Sequence, residues 1–295
     1  MAKKDNSILG KVKAMEQKAL KRPKEPKEIH LAPVKHPQKD FFIVDLFDTV
    51  SFQSDIASMQ HPLFALKAGD TRPIHYQHNN ATIDIVPHQI LGRATIHDKD
   101  IWIYCISKLM QAQYESEEIS RTVRFTIYDH LITTNRTTSG RDYERTKDAL
   151  DRLRSTGITT NIETANQREA RGFGLISEWR IVEEKDGRMV RVEVTLPEWL
   201  FRSIKARKVL TLSKDYFRLR KPLDRRIYEI ARKHCGQQPN WDVFLDVLHK
   251  KTGSTSKLFE FRRAVKSLAE TDSLPGYHIY YDVNNDKVYF KKLEI

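Results

Sequence analysis

Apolar side chains recur along two stretches of this chain with a single rhythm. From Ser139 to Thr156 they stand at Tyr143, Thr146, Leu150 and Leu153, and from Ser254 to Thr271 at Leu258, Phe261, Val265 and Leu268, both sets spaced 3, 4 and 3. Such spacing draws one stripe along an α-helix and leaves the other face of each helix to Arg and Lys. The two stretches lie 115 residues apart. A helix ahead of each also echoes the other, "IYCI" from Ile103 against "IYEI" from Ile227.

The segments around these helices predict the same order of elements. In the first half, Asp100 can cap a helix to about Gln113 with Ile103, Ile106 and Met110 inward. "RTVRFTI" alternates as a strand, Asp129 to Thr134 gives a short helix, and "NRTTSG" turns into the helix Arg141 to Thr156. Gly157 suits a left-handed helix end, and "GITTNIE", "LISEWRIVEE" and "RMVRVEVTL" follow as strands, the last two joined at Asp186-Gly187. In the second half, helices are expected over Leu223 to His234, Asp242 to Lys250 and, after the turn "KTGSTS", Lys257 to Glu270. "YHIYYDVNNDKVYF" closes as a hairpin turning at Asn284, Asn285 and Asp286. Helix, strand, helix, turn, helix and β-ribbon is the order of a winged helix. The expected fold class is therefore α+β, with two tandem winged-helix (helix-turn-helix) domains.

Texture sets the expected boundaries. Residues 1–39 are rich in Lys, Glu and Pro and poor in apolar residues, the composition of a disordered basic arm. From Phe41 apolar residues become frequent, and "PIHYQ" and "ATIDIV" flank Asn79-Asn80 as a hairpin. The division is then 1–39 arm, 40–200 N-terminal winged-helix domain and 201–295 C-terminal winged-helix domain, with Pro197 opening the connector "PEWLFRSI".

Charge adds a partner to this picture. The formal net charge is +12, which points to a polyanion. It is concentrated: residues 201–234 hold twelve Lys and Arg against three acids, and residues 1–28 hold nine against four. No apolar run reaches the roughly 18 residues of a membrane span, since "FFIVDLF" is broken by Asp45. Two cysteines, Cys105 and Cys235, argue for a reducing compartment, so a cytoplasmic protein without membrane contact is expected.

A helix in the major groove reads base edges with its first turns and meets phosphates with flanking cations. In the second module the candidates are Ser254, Thr255, Ser256 and Lys257 at the helix start, then Arg262, Arg263 and Lys266, against Glu260 alone. The serines and threonine serve equally as caps. In the first module Arg141, Arg145 and Lys147 share their helix with Asp142, Glu144, Asp148 and Asp151, where Asp148 can pair with Arg152. Arg220, Lys221, Arg225 and Arg226 stand where backbone contacts are expected, and Lys287, Lys291 and Lys292 lie on the wing.

Enzyme signatures are thin: no phosphate-cradling Gly-rich loop is present, and "RGFGL" lacks dinucleotide spacing. His75 and His78, three apart on a strand, point to opposite faces and cannot jointly hold a metal. No catalytic residue, metal or cofactor is expected.

Through "TIYDHLITTNRTTSGRDYERTKDALDRLRSTGI", "KDYFRLRKPLDRRIYEIARKHCG" and "FEFRRAVKSLAE" the chain resembles the plasmid replication initiator protein A family over most of residues 40–295. The resemblance implies a protein that binds double-stranded DNA at repeated sites of a plasmid origin, helps open adjacent A·T-rich DNA and brings in the host initiator and replicative helicase. It also implies a principal reader in the C-terminal domain and a secondary contact, or a homodimer interface, in the N-terminal one. A transcriptional repressor with the same DNA surface is the alternative, and a rolling-circle nuclease a more distant one.

Overall fold

The computed structural model describes residues 31–37, 51–78, 81–161, 163–164, 167–168, 171–183, 189–236 and 238–293. A short strand β1 (Gln53–Asp55) leads into α1 (Ile56–Gln60), capped by the Asp55 carboxylate, which accepts from Ser58 N at 2.7 Å. The hairpin of β2 (Ile74–His78) and β3 (Ala81–Val86) follows, with His75 opposite Asp84. The expected turn at Asn79-Asn80 lies outside the described residues.

One order of elements then occurs twice. The first unit comprises α2 (Lys99–Tyr114), β4 (Thr122–Phe125), α3 (Ile127–Thr133), α4 (Gly140–Ser155) and, after an insertion holding β5 (Gly157–Thr160), β6 (Glu163–Thr164), β7 (Gln167–Arg168) and β8 (Arg171–Gly174), the pair β9 (Glu178–Glu183) and β10 (Met189–Thr195). A connector follows: α5 (Glu198–Lys205), β11 (Val209–Thr211) and a 3-10 turn, Lys214–Arg218. The second unit is α6 (Pro222–His234), β12 (Asn240–Phe244), α7 (Leu245–Thr252), α8 (Leu258–Thr271), β13 (Tyr277–Asp282) and β14 (Lys287–Lys292). In both units the strand after the first helix pairs with the last strand of the closing hairpin, giving the antiparallel orders β4-β10-β9 and β12-β14-β13. The insertion of the first unit joins the early hairpin as a sheet of order β2-β3-β5-β8.

Several expected boundaries move, each for a local reason. Asp98 rather than Asp100 stands at the N-cap of α2, and Asp100 sits inside its first turn, fully buried. α3 starts at Ile127 because the Thr126 hydroxyl accepts from Asp129 N at 3.0 Å. Gly157 is not a left-handed helix end. The extended Thr156 stops α4, its hydroxyl donating to Arg152 O at 2.8 Å and accepting from Ala94 N at 2.9 Å, and Gly157 enters β5 opposite Val86. Asp242, expected in a helix, lies in β12, whose Trp241 and Val243 face Phe290 and Val288; the helix begins only at Leu245. Left-handed residues do end other helices: Asp272 after α8, at φ 47°, and Gly253 after α7, at φ 68°, where a Cβ would come within 2.6 Å of Pro62.

The units share one continuous hydrophobic cluster. β1 pairs with β11, Gln53 opposite Thr211, and Phe52 meets Phe217 edge-on at 4.8 Å. The expected boundary at residue 200 falls inside α5, whose Trp199 lies 5.7 Å from Trp102 of α2. An ionic network crosses between the units in the same interior. Asp100 accepts from Arg136 at 2.8 Å and from Arg225 of α6 at 2.6 Å, while Lys99 reaches Glu229 of α6 at 2.8 Å.

Part of the expected disordered arm is ordered. Ala32 N donates to Arg218 O at 2.9 Å, and the Arg218 guanidinium returns a bond to Ala32 O at 2.7 Å. Lys35 N donates to Asn135 Oδ1 at 2.8 Å, Asn135 Nδ2 donates to Pro33 O at 3.1 Å, and the His36 ring lies 2.7 Å from Arg136 O. Residues 31–37 are thus a strap from the 3-10 turn to the turn between α3 and α4, since backbone groups that pair with fixed partners offset their own ordering entropy. The rest of the arm lies outside the described residues.

Candidate nucleic-acid interface

α8 buries Phe261, Val265 and Leu268, with Leu258 half-buried, and this apolar stripe turns the opposite stripe to solvent. The outward stripe carries Phe259, Arg263 and Lys266, with Thr255 and Lys257 exposed just before it. Lys257, Arg263 and Lys266 make no ion pair with another described residue. Their charge is therefore available to an anion.

α4, superimposed on α8 by its apolar stripe, presents something different. Thr146, Leu150 and Leu153 are buried and Tyr143 half-buried, so positions 144, 148 and 151 match 259, 263 and 266. There α4 exposes Glu144, Asp148 and Asp151, three carboxylates where α8 has Phe, Arg and Lys. Arg141 is exposed at the helix start. Arg145 leans on Asp142 at 3.3 Å, and Lys147 on Glu144 at 3.7 Å. Asp142 also accepts from Thr137 and Ser139, which with Arg145 hold its carboxyl below the usual range against the opposing effect of burial. Arg152 does not pair with Asp148; it forms two bonds with Asp98, at 2.8 and 2.9 Å.

The remaining sequence candidates divide sharply. Arg225 and Arg226, expected at the DNA backbone, are 4% and 2% exposed. Beside its bond to Asp100, Arg225 donates to Leu219 O at 2.8 Å. Arg226 donates to Ser58 O, Met59 O and Lys251 O at 2.9, 3.0 and 2.9 Å. Both are core groups that hold α6 against the rest of the molecule, because a buried guanidinium persists only where acceptors surround it. Arg220 and Lys221, one step earlier, are exposed at the N-terminus of α6.

Arg262 is not free either. Its guanidinium grips Asp286 at the hairpin turn, at 3.1 and 2.8 Å, and donates to the Tyr281 hydroxyl at 3.1 Å. It fixes the β13-β14 hairpin to α8. Lys287, expected on the wing surface, pairs with Asp242 and sits 5.0 Å over the Phe244 ring. Ser254 and Ser256 bond each other at 2.9 Å, and Ser256 N donates to Ser254 Oγ at 3.3 Å, so both shape the turn before α8.

The candidate surface is thus Thr255, Lys257, Arg263 and Lys266 on α8, with Arg220 and Lys221 exposed at the start of α6. Phe259, in its middle, was not anticipated from the sequence, although its offset from the apolar stripe marks it as outward. His75 bonds Asp84 at 2.5 Å, and among the described residues no group of three His, Cys, Asp or Glu side chains is placed to hold a metal ion. Among them no helix is long and apolar enough to cross a membrane.

Known proteins resemble this chain in sequence and in fold. The family described as replication initiator protein A matches residues 53–279. A curated protein of Wigglesworthia glossinidia brevipalpis, named for a role in replication, is 46% identical over 258 residues, covering 86% of this chain and 94% of the relative. Two crystal structures of domains 2 and 3 of RctB share the fold at TM-scores of 0.53 and 0.57, with 14% and 13% identity. They cover 81% and 80% of this chain, and 97% and 96% of their own.

Proposed function

This chain belongs to the replication initiator protein A family, and from that premise we propose that it initiates replication of a plasmid by sequence-specific binding of double-stranded DNA at origin repeats. We read its two repeated units as winged-helix domains and α8 as the helix that enters the major groove. The observation that carries this reading is the outward stripe of α8, where Lys257, Arg263 and Lys266 stand exposed without an ion-pair partner among the described residues. Arg263 meets a base edge, and Lys257, Lys266, Arg220 and Lys221 meet phosphates. The acidic stripe of α4 disfavours a duplex and suits an interface, either with a second copy or with the host initiator and replicative helicase. The protein acts by binding, melting and recruitment, without a catalytic group or cofactor of its own.

Titration of a labelled origin duplex at rising salt tests the surface. With about four phosphates neutralised, affinity falls by roughly 150-fold between ~50 and ~200 mM salt. A flat response overturns the reading. Permanganate footprinting of the A·T-rich DNA beside the site then separates the initiator, which makes thymines reactive, from a repressor, which leaves them protected.

A further inference from the structure

An apolar ring stands in the middle of the basic stripe of α8. Phe259 is 53% exposed. It occupies the second position of the helix, with Arg263 one turn later on the same side. Two other exposed rings have a cation over them: the Arg207 guanidinium lies over Tyr114 at 5.4 Å and the Lys287 ammonium over Phe244 at 5.0 Å. Phe259 has neither ring nor cation against it among the described residues. An apolar side chain held in water at the leading end of a charged helix is costly there and gains only when something apolar covers it.

Resting on the reading of α8 as the groove helix, we propose that Phe259 reads thymine, by packing its ring on the C5-methyl group. That methyl is the one apolar feature on the major-groove edges of the four bases, and the first turns of a groove helix are the part that reaches those edges. Arg263 lies four residues along, about 6 Å at the rise of an α-helix, so the thymine falls within about two base pairs of the base that Arg263 contacts. Phe259 and Arg263 together then specify a thymine and a neighbouring guanine. In α4 the matching pair is Glu144 and Asp148, which can do neither.

The test selects duplexes from a random pool with the full-length protein and replaces each thymine of the selected site, one at a time, by deoxyuridine, which removes only the methyl group. At one thymine the wild type should lose about fourfold in affinity, the worth of one methyl group removed from water. Phe259→Ala should bind the thymine and deoxyuridine duplexes equally, whereas Phe259→Leu should keep part of the discrimination. Because Phe259 lies outside the hydrophobic core, both variants should keep the wild-type circular dichroism spectrum. If the wild type ignores every replacement, or Phe259→Ala still prefers thymine fourfold, Phe259 does not read the methyl group. If the wild type selects no duplex at all, the groove assignment of α8 fails first and takes this inference with it.

Discussion

At the scale of single residues, Asp100 ties α2 to the turn before α4 through Arg136 and to α6 through Arg225. Burial pushes its carboxyl up, and Arg225 and Arg136 overcome this and hold it below the usual range. Asp100→Asn leaves two guanidiniums facing a neutral amide in a dry interior. It should cost about 3 to 5 kcal/mol, read as a lowered urea midpoint. Arg225→Ala should likewise lower stability, while Arg220→Ala weakens DNA binding and leaves the midpoint in place. His130 supplies the pH dependence. Burial holds its imidazole down at about 3, and burial followed by Arg225 holds His97 at about 4. In the unfolded chain both titrate near 6.5. Between these values the unfolded state binds more protons, so stability falls as pH drops below about 6.5. Both ring nitrogens of His130 are buried without a hydrogen-bond partner. His130→Leu should therefore flatten the acid limb of thermal unfolding without loss at neutral pH. Arg226 was expected at the DNA backbone, although its place four residues before Ile230 on the inward stripe and three before the acid Glu229 made its burial legible. The burial of Arg225 was not legible, because its partner Asp100 lies 125 positions away.

Helices were more legible than strands. The 3, 4, 3 spacing placed α4 and α8 to within a residue, because a buried stripe has to keep that period whatever surrounds it. β12 was missed because "NWDVF" is only five residues long and its Asp242 also suits the start of the helix that follows; the alternation of Trp241 and Val243 with polar neighbours, paired to β14, makes it a strand. The sheet β2-β3-β5-β8 unites strands from two distant segments, a pairing that periodicity does not encode. Within α8, neighbouring arginines part company, since Arg262 faces the hairpin and Arg263 faces away. Arg263→Ala should cost roughly 1 to 3 kcal/mol at the cognate site and relax preference at one base position. Arg262→Ala should loosen the hairpin, seen as faster amide exchange in β13 and β14, and Asp286→Ala should reproduce it. Replacing Glu144, Asp148 and Asp151 by their amides should leave DNA affinity unchanged and shift the sedimentation coefficient if α4 forms the interface.

At the scale of the whole molecule, the strap and the shared interior make the two halves one body. Removing residues 1–30 should leave the melting temperature unchanged and weaken only the attraction to random DNA. Removing residues 1–37 also deletes the partners of Arg218, Asn135 and Arg136, and should lower it. Near-identical melting curves for the two truncations would show that the strap contributes nothing. Composition alone could not separate residues 31–37 from the rest of the arm, because what holds them are partners far along the chain: backbone bonds to Arg218 and Asn135, and the core against which Leu31 packs and in which Ala32 is buried. The pairing of β1 with β11 also bears on how the protein is made. Thr211 leaves the ribosome 158 residues after its partner Gln53, so β1 waits with an open edge while everything between is translated. Synthesis at about 5 to 20 residues per second makes that interval roughly 8 to 30 seconds. A message truncated near codon 200 would release a fragment whose edge never closes, a template for aggregation rather than half an initiator.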